Sequence, residues 1–376
     1  MEDLIKLRES IDEIDNEIVR LYENRMEISK KVADFKIATG KKVFDKEREN
    51  SKLDKLSKLA DDEFMEHGIR ELFEQIMSTS RKKQYQLMTE HGIVESEDFT
   101  EVDKLDFSNA RIVFQGVEGA YSQLAMKTYF GENCNGYNVD TWKDAMEEIK
   151  CGNADYAVLP IENSSAGIVS ENYDLMVEYD NYIVGEQIIR IDHSIMGLPE
   201  AELSDIKTVY SHPQALMQCS EFLDEHRDWN RVSLKNTAFS AKKVKDEGLI
   251  SQAAIASHSS ADIYGLKVLE NRIQNNKNNA TRFIIVSGRK ICRRDSDKIS
   301  ICFETPHKSG ALYHMLAHFI YNGINMLNIQ SRPIQGKTWE YRFFVDFEGK
   351  FTDTAVQNAL RGLKEETISL KILGTY

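Results

Sequence analysis

Proline is missing from the first 150 residues; all five prolines, at 160, 199, 213, 306 and 333, come later. Glycine is nearly as scarce at the start, where the first 90 residues hold only Gly40 and Gly68. A stretch with so few chain breakers is predicted to be helical. The five cysteines, at 134, 151, 219, 292 and 302, form no C-x-x-C pair, so neither a zinc site nor a disulfide framework is signalled and reduced thiols are expected. No stretch approaches the roughly 18 consecutive apolar residues of a membrane helix. Met1-Glu2-Asp3-Leu4 lacks the basic region and apolar run of a secretory signal, which predicts a cytoplasmic protein with no membrane partner. Positive charge is also short: a net charge of −13 disfavours nucleic acid, although a local cationic pocket for a small anion is still allowed.

What is present is an ordinary globular composition, 41% hydrophobic and 29% charged, over 376 residues. At about 150 residues per domain this suffices for two or three domains. Residues 1–90 read as an all-α domain. Residues 91–109 hold Glu95, Glu97, Asp98, Glu101, Asp103 and Asp106 against Lys104 and read as an acidic linker. Over residues 110–290, short apolar runs such as Ile112-Val113-Phe114 and Tyr156-Ala157-Val158-Leu159 alternate with helix-length amphipathic stretches, the pattern of an α/β domain. Residues 297–376 show strand-like runs near 299–303, 324–334, 340–347 and 368–373, with helical stretches at 310–322 and 353–364. That order is β-α-β-β-α-β, a ferredoxin-like split unit.

The first helix carries an apolar seam, Leu4, Leu7, Ile11, Ile14, Ile18, Leu21, Ile28, Val32 and Phe35, spaced by threes and fours. Arg25 interrupts it, and a cation there is costly unless it meets an anion. Lys36, eleven positions on, returns to within about 20° of the Arg25 direction, whereas Arg8 is displaced by about 100°. A second helix would present Asp45, Arg48 and Glu49 on one face. A third shows Ile69, Phe73 and Ile76 before its stripe turns polar at Ser80 and Gln84. Solvated ion pairs are the plain reading of these charges; the interrupted seams favour instead a pocket for a small dianion, since guanidinium forks match carboxylates.

With Leu7-Arg8-Glu9, Asn24-Arg25-Met26-Glu27, Val43-Phe44-Asp45 and Arg48-Glu49, this segment resembles the helical class of chorismate mutase over about its first 90 residues. The resemblance implies two chains interlocked as a helical dimer, with Arg8 entering the partner's site. It assigns carboxylate binding to Arg8, Arg25 and Arg48, the ether oxygen to Lys36 and Gln84, the substrate hydroxyl to Glu49 and Asp45, and an assisting role to Ser80. The rearrangement of chorismate to prephenate needs no nucleophile, proton transfer or cofactor. A site can restrain the reactive conformer and place positive charge beside the breaking bond.

Four polar strand-end junctions follow: Gln115-Gly116-Val117-Glu118-Gly119-Ala120-Tyr121-Ser122, Leu159-Pro160-Ile161-Glu162-Asn163-Ser164, Ser211-His212-Pro213-Gln214-Ala215-Leu216 with Gln218-Cys219, and Asn279-Ala280-Thr281-Arg282-Phe283. Ligands of open α/β sheets collect beyond the carboxyl ends of strands, so a shared cleft is expected. The same motifs are similar to those of prephenate dehydratase. The likeness implies two α/β lobes, arranged as in periplasmic binding proteins, that close over prephenate; loss of carbon dioxide and the ring hydroxyl then gives phenylpyruvate. It gives Thr281 the central role with Arg282 and Phe283 beside it, and lines the cleft with Glu162, Asn163, Ser164, Ser211, Gln218, Ser122 and Thr237. His212, just before Pro213, reads as a packing or hydrogen-bonding histidine. Asn236 stands where that family usually has Ser or Thr.

Ser309-Gly310-Ala311-Leu312 and Gln330-Ser331-Arg332-Pro333 resemble the two signatures of the ACT regulatory domain. The implied effector is phenylalanine, bound at an interface between two such domains through Gly310, Ala311, Leu312, Gln330, Ser331, Arg332 and Pro333, so that a homodimer or higher homo-oligomer is expected. Gln330 replaces a common Glu, which predicts weaker feedback inhibition. The order of the three resemblances implies a bifunctional enzyme of phenylalanine biosynthesis with neither metal nor cofactor. Its rivals are a non-catalytic two-lobed ligand sensor and an enzyme with one active site of the two.

Overall fold

The computed structural model describes residues 4–93 and 99–376. Three helices come first: α1 (Leu4–Thr39), α2 (Lys46–Ser57) and α3 (Glu63–Glu90). Aspartates set two of the starts. Asp45 accepts the Arg48 N–H at 3.1 Å and Asp62 accepts the Met65 N–H at 2.8 Å, caps worth about 1 kcal/mol each. Among the described residues nothing covers the seam of α1: Leu4, Leu7, Ile11, Ile14, Ile18, Leu21, Ile28 and Phe35 are 42–62% exposed. On α1 only Ser29 and Ala33 are buried, whereas α3 buries Met77, Ser80, Gln84 and Tyr85 in its second half.

The chain continues through β1 (Thr100–Val102), β2 (Arg111–Gln115), α4 (Tyr121–Phe130), β3 (Asn135–Val139), α5 (Trp142–Lys150), β4 (Tyr156–Asn163), β5 (Gly167–Ile168), α6 (Ser170–Glu178) and β6 (Tyr182–Arg190). A second lobe is formed by β7 (Ser194–Gly197), β8 (Thr208–Ser211), α7 (Pro213–Gln218), α8 (Ser220–Glu225), β9 (Asn230–Ser233), α9 (Thr237–Glu247), β10 (Gln252–Ala256), α10 (His258–Tyr264) and β11 (Lys267–Glu270). The chain then returns to the first lobe in β12 (Ala280–Ser287) and β13 (Ile291–Arg293). In the first lobe the strand order is β6-β12-β4-β2-β3; in the second it is β11-β7-β10-β8-β9. Each lobe has its own apolar core, with Ile112, Phe114, Tyr156 and Ile285 in one and Ile195, Val209, Leu223 and Ile255 in the other. The two-lobed α/β reading of this segment therefore holds.

The last elements are β14 (Lys298–Glu304), α11 (Ala311–Tyr321), β15 (Met326–Pro333), β16 (Tyr341–Glu348), α12 (Thr354–Glu366) and β17 (Ser369–Thr375), in the expected β-α-β-β-α-β order. Their strands run β15-β16-β14-β17.

Two compact units result. Residues 4–93 pack with 302–371, and residues 99–301 pack with 372–376. The helical and C-terminal segments, distinct in sequence, thus share one unit. Of the acidic segment 91–109, residues 94–98 lie outside the described residues. The remainder is not a free linker: β1 pairs in parallel with β13, and Leu105 is buried. The cause is a sparse set of apolar residues, Val102, Leu105 and Phe107, that join the first-lobe core between the acidic positions. Among the described residues no helix is long and apolar enough to cross a membrane.

Candidate active sites

In the first unit the cation of the interrupted seam meets the polar part of the third helix. Arg25 donates to the Ser80 hydroxyl and, at 3.5 Å, to the Ile76 carbonyl, which Ser80 also engages at 3.0 Å. Lys36 turns its ammonium onto the Val43 carbonyl at 2.7 Å, which ties the end of α1 to the start of α2. Burial lowers the proton affinity of both cations, and Glu49 opposes that effect in each. Burial conversely pushes the Glu49 carboxyl above its ordinary value, against the pull of Arg81 and Lys36.

Gln84 is buried and its Nε2 donates to Ser29 Oγ at 3.3 Å, while its Oε1 has no hydrogen-bond partner among the described residues. Since a hydroxyl both donates and accepts, Ser29 serves either amide orientation. Asp45 is exposed and occupied as the cap of α2; Arg48 and Arg8 are exposed. Arg25, Ser80, Lys36 and Glu49 are therefore brought into one electrostatic neighbourhood, whereas Arg8 is not brought into it within a single chain.

A cavity of about 320 Å³ adjoins this cluster. Phe44, Glu49 and Arg81 line one side, and Ala311, His314 and Glu366 line the other. It meets the cationic cluster at Glu49 and contains none of Arg25, Lys36, Ser80 and Gln84.

In the second unit the decisive contact lies across β4 and β12, where Thr281 is registered opposite Asn163 and Arg282 opposite Glu162. The Asn163 Oδ1 accepts the N–H groups of Ser165 at 3.0 Å and Ala166 at 2.8 Å, which fixes its amide. Its Nδ2 therefore faces Thr281 Oγ1 at 2.9 Å, Asn279 Oδ1 at 2.8 Å and the Ala280 carbonyl at 3.2 Å. Thr281 accepts from Asn163, so its own hydroxyl proton is not spent on that bond. Ser164 locks the neighbouring backbone, with the Ala280 N–H on its hydroxyl at 2.9 Å. Arg282 lies 3.7 Å from Glu162 and 3.5 Å from Glu186, and Glu186 also pairs with Lys298.

From the second lobe, Gln218 offers Oε1 to His193 Nε2 at 3.0 Å, so that nitrogen carries the proton. The Tyr121 hydroxyl lies 3.3 Å from His193 Nδ1 and donates to the Asp192 carbonyl at 2.7 Å. Burial holds His193 below the usual imidazole value and pushes the neighbouring Cys219 thiol up to about 12, leaving both neutral. The lobes also meet at the glycine turn: the Gly119 carbonyl accepts from Ser257 and Ser260, both at 3.0 Å. Gly119 has φ +84°, and a Cβ there would stand 2.8 Å from Ser260 Oγ. Only glycine permits that approach.

Other expected cleft residues are committed elsewhere. Ser122 donates to the Gln115 carbonyl at 2.5 Å, and Ser211 is fully buried, donating to the Ile255 carbonyl at 2.6 Å. Phe283 belongs to the first-lobe core rather than to a polar cleft, its apolar ring packing in the cluster that holds Phe114, Val158 and Ile285. Thr237 opens α9 half-buried, behind the Asn236 cap. His212 caps α7, accepting the Gln214 N–H at 3.3 Å. His193 and Arg81 were missed; neither sits in a strand-end motif, and only their tertiary partners reveal them.

Residues 7–85 match the family described as chorismate mutase type II, and residues 112–291 match prephenate dehydratase. A bifunctional chorismate mutase/prephenate dehydratase of Escherichia coli (strain K12) is 33% identical over 99% of this chain and 96% of its own length. This chain belongs to the bifunctional chorismate mutase/prephenate dehydratase family. A second bifunctional chorismate mutase/prephenate dehydratase, from Aquifex aeolicus (strain VF5), is 31% identical over 100% of this chain and 98% of its own. Among solved structures, the prephenate dehydratase of Arthrobacter aurescens in complex with L-Phe superposes with a TM-score of 0.66 at 31% identity, covering 71% of this chain and 89% of that one. Arg8 through Gln84 fall in the mutase match and Ser122 through Phe283 in the dehydratase match. The C-terminal signatures at 309–312 and 330–333 lie outside both.

Proposed function

We propose that this bifunctional enzyme rearranges chorismate to prephenate among α1, α2 and α3 and converts prephenate to phenylpyruvate between the lobes of the second unit. The observation that carries the reading is that each matched stretch contains a polar pair at its expected site residues, Arg25 on Ser80 in one and Asn163 on Thr281 in the other. In the mutase, Arg25 and Arg48 hold the substrate carboxylates, Lys36 and Gln84 place positive charge and a donor at the ether oxygen, and Glu49 accepts the ring hydroxyl. Asp45 acts through the helix it caps and Ser80 through Arg25. Stabilising charge at the breaking bond lowers the barrier without covalent chemistry.

Arg8 serves the site of a second copy. The uncovered seam from Leu4 to Phe35 supports this, since contiguous apolar surface of that length marks an association face. In the dehydratase, Thr281 directs its proton at the departing hydroxyl while Asn163 holds the oxygen, and Glu162, Arg282, Ser164 and Gln218 bound the cleft with Ser122, Ser211 and Thr237 behind it. The enzyme works in the cytoplasm.

The C-terminal β-α-β-β-α-β module is an ACT regulatory domain that binds phenylalanine through Gly310, Ala311, Leu312, Gln330, Ser331, Arg332 and Pro333 at an interface between copies and inhibits the enzyme. The bound L-Phe of the Arthrobacter relative supports this effector. Two variants test the division of labour. Arg25→Ala removes the mutase and leaves the dehydratase, and Thr281→Ala does the reverse while retaining phenylalanine binding. Loss of both activities in either variant contradicts the assignment.

A further inference from the structure

The C-terminal module reaches the mutase through two consecutive glutamates at the end of α12. Glu366 takes Arg81 as a fork, Nε on Oε1 at 2.8 Å and Nη2 on Oε2 at 3.1 Å. The third nitrogen of the same guanidinium, Nη1, donates to Glu49 Oε2. Glu365 accepts the Phe44 N–H at 2.7 Å and the Tyr85 hydroxyl at 3.0 Å, pinning the residue just ahead of the α2 cap. The arrangement is built rather than superficial, since the Arg81 and Glu366 side chains are 8% and 6% exposed. His318 of α11 stands 3.3 Å behind Glu366. Its ring lies where a Cβ on Gly362 would be, 2.3 Å from the nearest ring atom. Farther along the same helix pair, Thr89 donates to Asn358 at 2.7 Å, which holds α12 alongside α3.

We propose that Arg81, Glu366 and Glu365 are positioning residues of the chorismate mutase, so that the mutase site is assembled on side chains of the C-terminal module. This rests on the assignment of Glu49 to the substrate hydroxyl. Arg81 engages Glu49 Oε2, which leaves Oε1 for that hydroxyl and fixes the carboxylate plane; Glu366 fixes Arg81 in turn. The sequence alone points elsewhere, because Arg81 follows Ser80 as one more cation of a helix face and Glu366 is 285 residues away.

The charged groups acting on Glu49 are Arg25 and Lys36 from α1, Arg81 from α3 and Glu366 from α12, and the cavity beside it is also lined by Lys46 of α2, Glu74 of α3, Lys308, His314 of α11 and Glu365 of α12, with His318 behind Glu366. Burial opposes ionisation of Glu366, but His318 and Arg81 outweigh it and hold its carboxyl at about 2. Glu366 is therefore a fixed anion across the working range. Removing Arg81 takes away the main charge that keeps Glu49 ionised; removing the Glu366 charge takes away a repulsion.

The test measures the pH profile of mutase kcat/KM on the full chain, with dehydratase activity as the control for folding. Arg81→Met should lower mutase kcat/KM at least tenfold near neutral pH and move its acid limb to higher pH. Glu366→Gln should move that limb to lower pH, and Arg81→Lys should restore part of the lost activity. Should Arg81→Met not fold, the shift in Glu366→Gln decides alone. A uniform loss at every pH, or wild-type profiles in both variants while Glu49→Gln abolishes the mutase, overturns the proposal and leaves the Glu49 assignment standing. A harmless Glu49→Gln overturns both.

Discussion

Asn163→Asp is the smallest change that reverses the hydrogen bond on Thr281. The introduced carboxylate keeps the two backbone N–H groups of Ser165 and Ala166, which fix the side chain where it is. It has no donor for Thr281 Oγ1, 2.9 Å away, so the hydroxyl must turn its own proton toward the carboxylate and away from the cleft. A hydrogen bond to a charged group is worth about 1.5–3 kcal/mol, and at about 1.4 kcal/mol per factor of ten the dehydratase should slow roughly 10- to 150-fold. The fold should survive. Asn279 Nδ2 is buried without a hydrogen-bond partner, and rotating that amide supplies the new carboxylate with a donor. What is lost is the contact to the Ala280 carbonyl, about 1 kcal/mol.

The assay follows phenylpyruvate from added prephenate, with chorismate consumption as the control. Because a half-buried carboxyl protonates readily, the deficit should shrink as pH falls from about 8 to about 6. A dehydratase rate within twofold of wild type, or a matching loss in the mutase, refutes the reasoning about Thr281.

Ile11→Glu combined with Ile18→Glu should yield monomers by sedimentation, with mutase activity down more than tenfold and the dehydratase retained. Gly119→Ala places a side chain at φ +84° and 2.8 Å from Ser260 Oγ. The left-handed backbone alone costs about 1–2 kcal/mol, so the dehydratase should weaken and the urea midpoint fall. Burial depresses the His193 pKa, so the folded chain keeps it neutral while the unfolded chain takes up a proton near pH 6.5. Its contribution is present above about pH 6.5 and is lost as pH falls through the folded pKa. His193→Gln should therefore flatten the decline in urea midpoint between about pH 7.5 and pH 5.5, and an unchanged slope counts against a neutral buried imidazole.

Local pattern carried the sequence reading far. The scarcity of Pro and Gly foretold α1, α2 and α3, and the apolar runs marked β2, β4, β12 and the β-α-β-β-α-β module to within a few residues. The Arg25 interruption led to Ser80 because both lie on helices whose periodicity can be counted. Phe283 misled because a motif names consecutive residues without saying which of them the core takes, and the Phe283 ring is taken up by the first-lobe core. The acidic segment misled because charge density hid three apolar residues that dock on the first lobe. No periodicity could announce that Glu366 clamps Arg81, or that His193 meets Gln218 and Tyr121, because these pairings exist only once distant elements pack.

The most direct test of the account is to give the purified full chain chorismate alone and follow chorismate, prephenate and phenylpyruvate separately by chromatography. Prephenate should rise and then yield phenylpyruvate with no other substrate supplied. Prephenate accumulating without phenylpyruvate, or chorismate left unconsumed while added prephenate is converted, would contradict the claim that one chain performs both reactions.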